Sequence, residues 1–150
     1  MKFTNTTMIN RPPAEVFAFL ADLENLPQWN YALSETRKIS DGPVGVGSRY
    51  LQTRTLPTRS EETLEVTSYE PDHLLAIHGP LGPFQADVSY VVTAAEGGTS
   101  LSNTMDLQPA GAARLIAPLA ASRVKSAVAT NLGALKQLLE TRDQPGHRAG

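Results

Sequence analysis

Three side chains in this sequence could orient or polarise a carbonyl-bearing molecule: Tyr90, Asn103 and Arg54. Asn103 lies between Leu101 and Met105 in a period-two stretch, on the face that alternation turns inward. An amide there either orients a ligand oxygen or is satisfied by backbone or water. Tyr90 shares its face with Phe84, Ala86, Val88 and Val92, so its hydroxyl either reaches a pocket or packs as core. Arg54 belongs with Tyr50 and Gln52 on one side of a strand, against Arg49, Leu51, Thr53 and Thr55 on the other. Neither set is cleanly apolar, so alternation leaves the inward face open. A buried arginine needs a carboxylate partner, so Arg54 is expected at the surface. His78 ends a strand before a Gly-Pro stretch and could move protons near neutral pH. Trp29 reads as a core anchor, with ligand contact as the alternative.

Other chemistries lack their residues. His73, His78 and His147 are scattered without metal-ligand spacing, so no metal and no cofactor are expected. No GxSxG elbow is present, and Gly45-Val46-Gly47 lacks the third glycine of a dinucleotide loop. Asp87, Asp106 and the pair Glu61-Glu62 read as solvated. Cysteine is absent, which rules out disulfides and thiolate catalysis. With 13 basic and 15 acidic residues the net charge is −2, which offers no basic field for nucleic acid. The N-terminus has no signal-like apolar core, and no run reaches a membrane span, so a cytoplasmic protein is expected.

These side chains need elements to hold them. The 150 residues fit one domain. Lys2 to Ile9 reads as a strand, and Pro12-Pro13 opens a short helix over AEVFAFLAD. A second helical turn spans Leu23 to Trp29. Strands follow over 35–40, 48–55, 61–69, 73–78, 84–94 and 99–107, separated by turn chemistry such as Asp41-Gly42-Pro43 and Gly97-Gly98. Ala112 to Glu140 then carries Ala117, Ala121, Val124, Val128, Leu132, Leu135 and Leu139 at helical spacing. The fold class is α+β: a curled antiparallel sheet of about seven strands around one long C-terminal helix, with two short helices after strand 1. One helix against a curled sheet leaves room for a pocket. Ala112, Ala113, Ala117, Ala120 and Ala121 place its opening beside the first half of the helix, where Pro118 predicts a kink. Leu132, Leu135 and Leu139 are expected to close the other end.

Four stretches carry a family resemblance: Ile9 to Trp29, Val44 to Tyr50, Glu65 to Gly79, and Gly97 through Glu140. The chain resembles the START-like, Bet v 1-like helix-grip superfamily (SRPBCC), in its polyketide cyclase/dehydrase and lipid transport branch. The resemblance implies a helix-grip domain over residues 1–140 and a hydrophobic small-molecule partner, while the polar composition of 141–150 predicts a disordered tail. The expected ligand wall comprises Trp29, Tyr50, Leu56, His78, Phe84, Val88, Tyr90, Leu101, Asn103, Met105, Ala117, Ala121, Val124 and Val128. Leu56-Pro57 is similar to the gate segment of plant abscisic-acid receptors, which makes 55–60 and 79–83 candidate gates or ordinary hairpin turns. The leading expectation is a non-catalytic binder or carrier of a lipid, polyketide or quinone-like molecule. The alternatives are an aromatase/cyclase using Tyr90, Asn103 and Arg54, or a partner-binding module like the chaperone activators. The sequence assigns no oligomeric state.

Overall fold

The structure, a computed structural model, describes residues 1–109 and 117–142, without the side chain of Ala117. The element order is β1 (Lys2–Ile9), α1 (Pro13–Ala21), a 3-10 helix (Leu23–Gln28), β2 (Leu33–Lys38), β3 (Arg49–Arg54), β4 (Ser60–Glu70), β5 (Leu74–Leu81), β6 (Phe84–Ala95), β7 (Gly98–Pro109) and α2 (Ala117–Thr141). The expected helix start at 112–116, with Ala112 and Ala113, and the tail from 143 lie outside the described residues. Pro118 is the second residue of α2 as described, so the expected kink falls at that same boundary.

All seven strands form one antiparallel sheet in the order β1-β7-β6-β5-β4-β3-β2. Consecutive strands from β2 to β7 are neighbours, as hairpins require. The exception is β1, which sits at the far edge beside β7. The chain reaches the opposite edge through α1 and the 3-10 helix. α1 begins at Pro13, where a missing N–H costs nothing, and buries Val16, Phe17 and Leu20. Pro27 lies inside the 3-10 helix and does not end it, and Trp29 follows as the cap.

Bulges between Leu33 and Glu35 and between Val66 and Ser68 bend the strands that carry them. The β6–β7 turn meets the end of β1 so closely that a side chain on Gly98, at φ +152°, would strike the Ile9 carbonyl. Thr99 Oγ1 donates to the Arg11 carbonyl at 2.7 Å across the same junction.

β5 departs from expectation. The stretch 79–83 is a turn only at Gly82-Pro83: β5 continues to Leu81, pairing Gly79 with Ala86 and Pro80 with Gln85. Proline is tolerated because the β4–β5 ladder ends at Glu65 and His78, leaving no partner for the N–H it lacks. Gly79 is needed for space, since a Cβ there would lie 2.7 Å from Leu64 Cδ2.

One core fills the concave side. α1 supplies Val16, Phe17 and Leu20, the sheet supplies Leu75, Val92, Leu101 and Leu107, and α2 supplies Leu132, Leu135 and Leu139.

Candidate cavity between sheet and helix

At the other end of α2 the packing opens into a cavity of about 680 Å³. α2 lines it with Ala120, Val124, Val128 and Asn131, and the sheet with Arg54, Phe84 and Met105. Leu56-Pro57 and Gly82-Pro83 border it, so both candidate gate segments flank the cavity. Tyr31, Leu56 and Leu119, all exposed, mark its opening. The volume falls within the range of small-molecule sites, and the lining is mainly apolar. A recess of about 60 Å³ adjoins it, sharing Asn30, Arg54, Leu81 and Met105 and adding Gln52, Val88 and Tyr90.

The inward face of β3 carries Tyr50, Gln52 and Arg54. Arg54 is therefore not a surface residue: it is 8% exposed. The expected solvation of Glu62 is likewise overturned, since Glu62 is 4% exposed. Both corrections have one cause. The β3–β4 register sets Glu62 opposite Gln52 and diagonal to Arg54, so the two charges meet inside. Arg54 Nε donates to both Glu62 oxygens, at 3.0 and 2.9 Å. Gln52 Nε2 donates to Glu62 Oε1 at 2.8 Å, and the Gly82 N–H to Oε2 at 3.2 Å. Glu62 is thus saturated by donors from β3 and the β5–β6 turn. Both Nη groups of Arg54 have no acceptor among the described residues.

The remaining expected site residues divide. Leu56, Phe84, Met105, Val124 and Val128 line the cavity, and Val88 and Tyr90 the recess. Burial drives the Tyr90 hydroxyl far above its ordinary pKa, so it stays a proton donor. Trp29 packs edge-on against the Tyr90 ring with centroids 6.3 Å apart. Trp29, Tyr50, Leu101, Asn103 and Ala121 are buried but border neither cavity nor recess. Asn103, 0% exposed, points inward beside Tyr90, with Nδ2 at 3.4 Å from the Ser89 carbonyl and no partner for Oδ1 among the described residues. His78 lies on the opposite face of β5 from Leu75 and Ile77, paired with Asp87 at 2.7 Å. It faces away from the cavity because its strand parity is opposite to that of the core residues. The side chain of Ala117 is outside the described residues.

Two residues escaped the sequence reading although signals existed. Glu62 shares the period-two face of Leu64 and Val66, both buried. Asn131 lies on the apolar stripe of α2, between Val128 and Leu135, is 6% exposed, and its Oδ1 has no partner among the described residues. Among the described residues no three or more His, Cys, Asp or Glu gather in a metal-holding group, and no helix is long and apolar enough to cross a membrane.

A curled antiparallel sheet gripping a C-terminal helix over a mainly apolar cavity defines a helix-grip protein. The chain belongs to the polyketide cyclase / dehydrase and lipid transport family, whose sequence profile matches residues 1–140. Solved structures that share the fold include three examples. The Zhui aromatase/cyclase from Streptomyces sp. R1128 superposes with a TM-score of 0.80 at 13% identity, over 95% of this chain and 94% of that one. The di-domain ARO/CYC StfQ of the steffimycin biosynthetic pathway gives 0.78 at 14%, over 93% of this chain and 50% of that one. TTHA0849 from Thermus thermophilus gives 0.74 at 17%, over 93% and 97%. No curated protein sequence matches the chain.

Proposed function

We propose that this protein binds a hydrophobic small molecule in the cavity between the sheet and α2. The observation that carries the reading is a mainly apolar cavity of about 680 Å³ with a buried guanidinium at its inner end. Phe84, Met105, Val124 and Val128 would cover an apolar body, and burial of that body would supply most of the affinity. The test is titration with a panel of lipids, aromatic polyketides and quinones, followed by displacement of a fluorescent apolar probe. Saturable binding to one site is expected, weakened by Ala120→Trp, which narrows the cavity. Absence of binding at high micromolar concentration across the panel would sink the reading.

A second reading, polyketide aromatase/cyclase, draws support from the recess. Arg54 and Tyr90 line it together, and both can donate to a carbonyl oxygen that gains negative charge during aldol closure. The relatives named aromatase/cyclase add support from family membership. Closure also requires a base for the α-proton. The described lining offers none that is free, because Glu62 is occupied by Arg54, Gln52 and Gly82. The carrier reading therefore stands first. Product analysis after incubation with a poly-β-ketone mimic separates the two: Arg54-dependent acceleration of ring closure establishes the cyclase. A chaperone-activator-like module calls for a collapsed cavity, and the cavity here is open.

A further inference from the structure

The charge lining the cavity narrows the ligand. Resting on the binding reading above, we propose that the ligand is an amphipathic monocarboxylate whose carboxylate is held by the Nη groups of Arg54. Among the described residues neither cavity nor recess is lined by an Asp or Glu, whereas Arg54 and Arg123 both line the cavity. Arg54 spends only its Nε on Glu62, contacting both oxygens from one nitrogen. A guanidinium carries five N–H donors in a planar fork, so four remain. The end-on use of Nε keeps the Nη pair, the edge that matches a carboxylate in bidentate fashion, free of any described protein acceptor.

Glu62 does not cancel this demand. Its two oxygens also receive Gln52 Nε2 and the Gly82 N–H and meet only the Nε of Arg54, so the pair is neutral overall while the Nη donors stay unsatisfied, and Arg123 supplies the net positive charge of the cavity wall. Glu62 acts as a positioning residue: it fixes the plane of Arg54 from behind. A neutral ligand would leave two amino groups of a buried cation stripped of water without a strong acceptor, which is unfavourable. A carboxylate satisfies both at once. The apolar wall of Phe84, Val124 and Val128 suits the remainder of the molecule.

The test compares dodecanoate with dodecanol, methyl dodecanoate and dodecyl phosphate, each displacing the neutral probe N-phenyl-1-naphthylamine at pH 7. Dodecanoate should bind about ten- to hundredfold tighter than the alcohol and the ester, the range expected for hydrogen bonds to a charged group. Arg54→Lys, which keeps the charge without the fork, should lose most of that preference. The double variant Arg54→Met/Glu62→Leu, checked for folding by circular dichroism, should treat acid and alcohol alike. Equal affinities in the unsubstituted protein overturn the proposal while leaving cavity binding intact. So does a preference that survives in the double variant, or dodecyl phosphate binding more tightly than dodecanoate. Failure of the probe and of every ligand, by direct calorimetry on folded protein, removes the binding reading and the proposal together.

Discussion

The two ends of α2 meet the sheet in opposite ways. Toward its C-terminus, Leu132, Leu135 and Leu139 are buried, and three polar ties clamp the helix to the end of β1. Lys136 Nζ donates to the Met8 carbonyl at 2.6 Å, the Asn10 N–H to Glu140 Oε2 at 2.8 Å, and Arg11 Nη2 to the Glu140 carbonyl at 2.6 Å. Toward its N-terminus the helix presents Ala120, Val124, Ala127 and Val128 to a cavity of about 680 Å³. Both ends belong to one amphipathic stripe. Side-chain volume and tethering separate them: leucines fill the gap where the helix is clamped, and alanines and valines leave it open elsewhere. Tight packing and open space are thus assigned to different ends of one element.

The largest effect should come from the charge at the open end. Arg54→Met leaves Glu62 buried beside Gln52 and Gly82 without its cation, and breaking such a pair costs about 3–5 kcal/mol. Urea denaturation should show most of that loss recovered in Arg54→Met/Glu62→Leu, because two apolar side chains replace the pair without stranding a charge. If the double variant were as unstable as the single one, Arg54 would be held by packing and not by Glu62.

Packing gives the next contrast. Leu135 is 0% exposed, so Leu135→Ala should cost about 2–5 kcal/mol through lost burial and a new void. Val124→Ala should cost under about 1 kcal/mol, since Val124 already faces empty space and its removal enlarges a cavity that exists. Equal losses in urea denaturation would erase the distinction between the two ends.

The same contrast shows what was legible in the sequence. Strand positions and helix face are readable because period-two and helical alternation depend on local spacing, and turn residues such as Gly97-Gly98 mark the reversals; the place of β1 beside β7 is not. The inward placement of Tyr90 and Asn103 follows from the apolar neighbours on their strands. That of Arg54 does not, because its face shows no clear apolar set, and that of Glu62 is overridden by its charge although Leu64 and Val66 share its face. Their burial depends on the β3–β4 register, which sets Glu62 across from Gln52, and strand-by-strand reading carries no register. His78 departs from expectation for a simpler reason: its parity with Leu75 and Ile77 is available in the sequence and points it outward. Asn131 is hidden because a polar residue on an apolar stripe reads as an interruption, although it is a polar group of the helix wall.

A buried group on the same strand as Arg54, yet away from the cavity, sharpens the comparison further. The Tyr50 hydroxyl is buried with no partner among the described residues. Burial first, then the nearby Asp22 and Glu24 carboxylates, push its pKa up to about 12. Tyr50→Phe removes a desolvated hydroxyl and should stabilise the protein by about 1 kcal/mol. The pH dependence has a definite sign. The unfolded phenol ionises near 10.0 while the folded one stays protonated, so stability falls as pH climbs above that value. Tyr50→Phe should lessen that alkaline loss, leaving the share due to Tyr90, whose pKa is raised by burial alone. Unchanged alkaline unfolding would show that Tyr50 ionises freely in the folded state.

The smallest effect tests the clamp at the closed end. Glu140 has its pKa lowered below 4.5, first by the hydrogen bond from Lys136 at 2.8 Å and then by the one from the Asn10 N–H. A depressed carboxyl contributes stability above its unfolded pKa and loses it as pH falls through the folded value. Glu140→Gln keeps the shape and an acceptor oxygen but removes the charge. The pair is partly exposed and screened by solvent, so the loss at pH 7 should stay below about 1 kcal/mol. At a pH below the folded pKa the two proteins should be equally stable, because Glu140 is then neutral in both states. Amide exchange at Asn10 should rise in the variant at pH 7, while the binding affinity of the cavity stays unchanged. A change in that affinity would mean that the clamp sets the cavity and that the two ends of α2 are mechanically coupled.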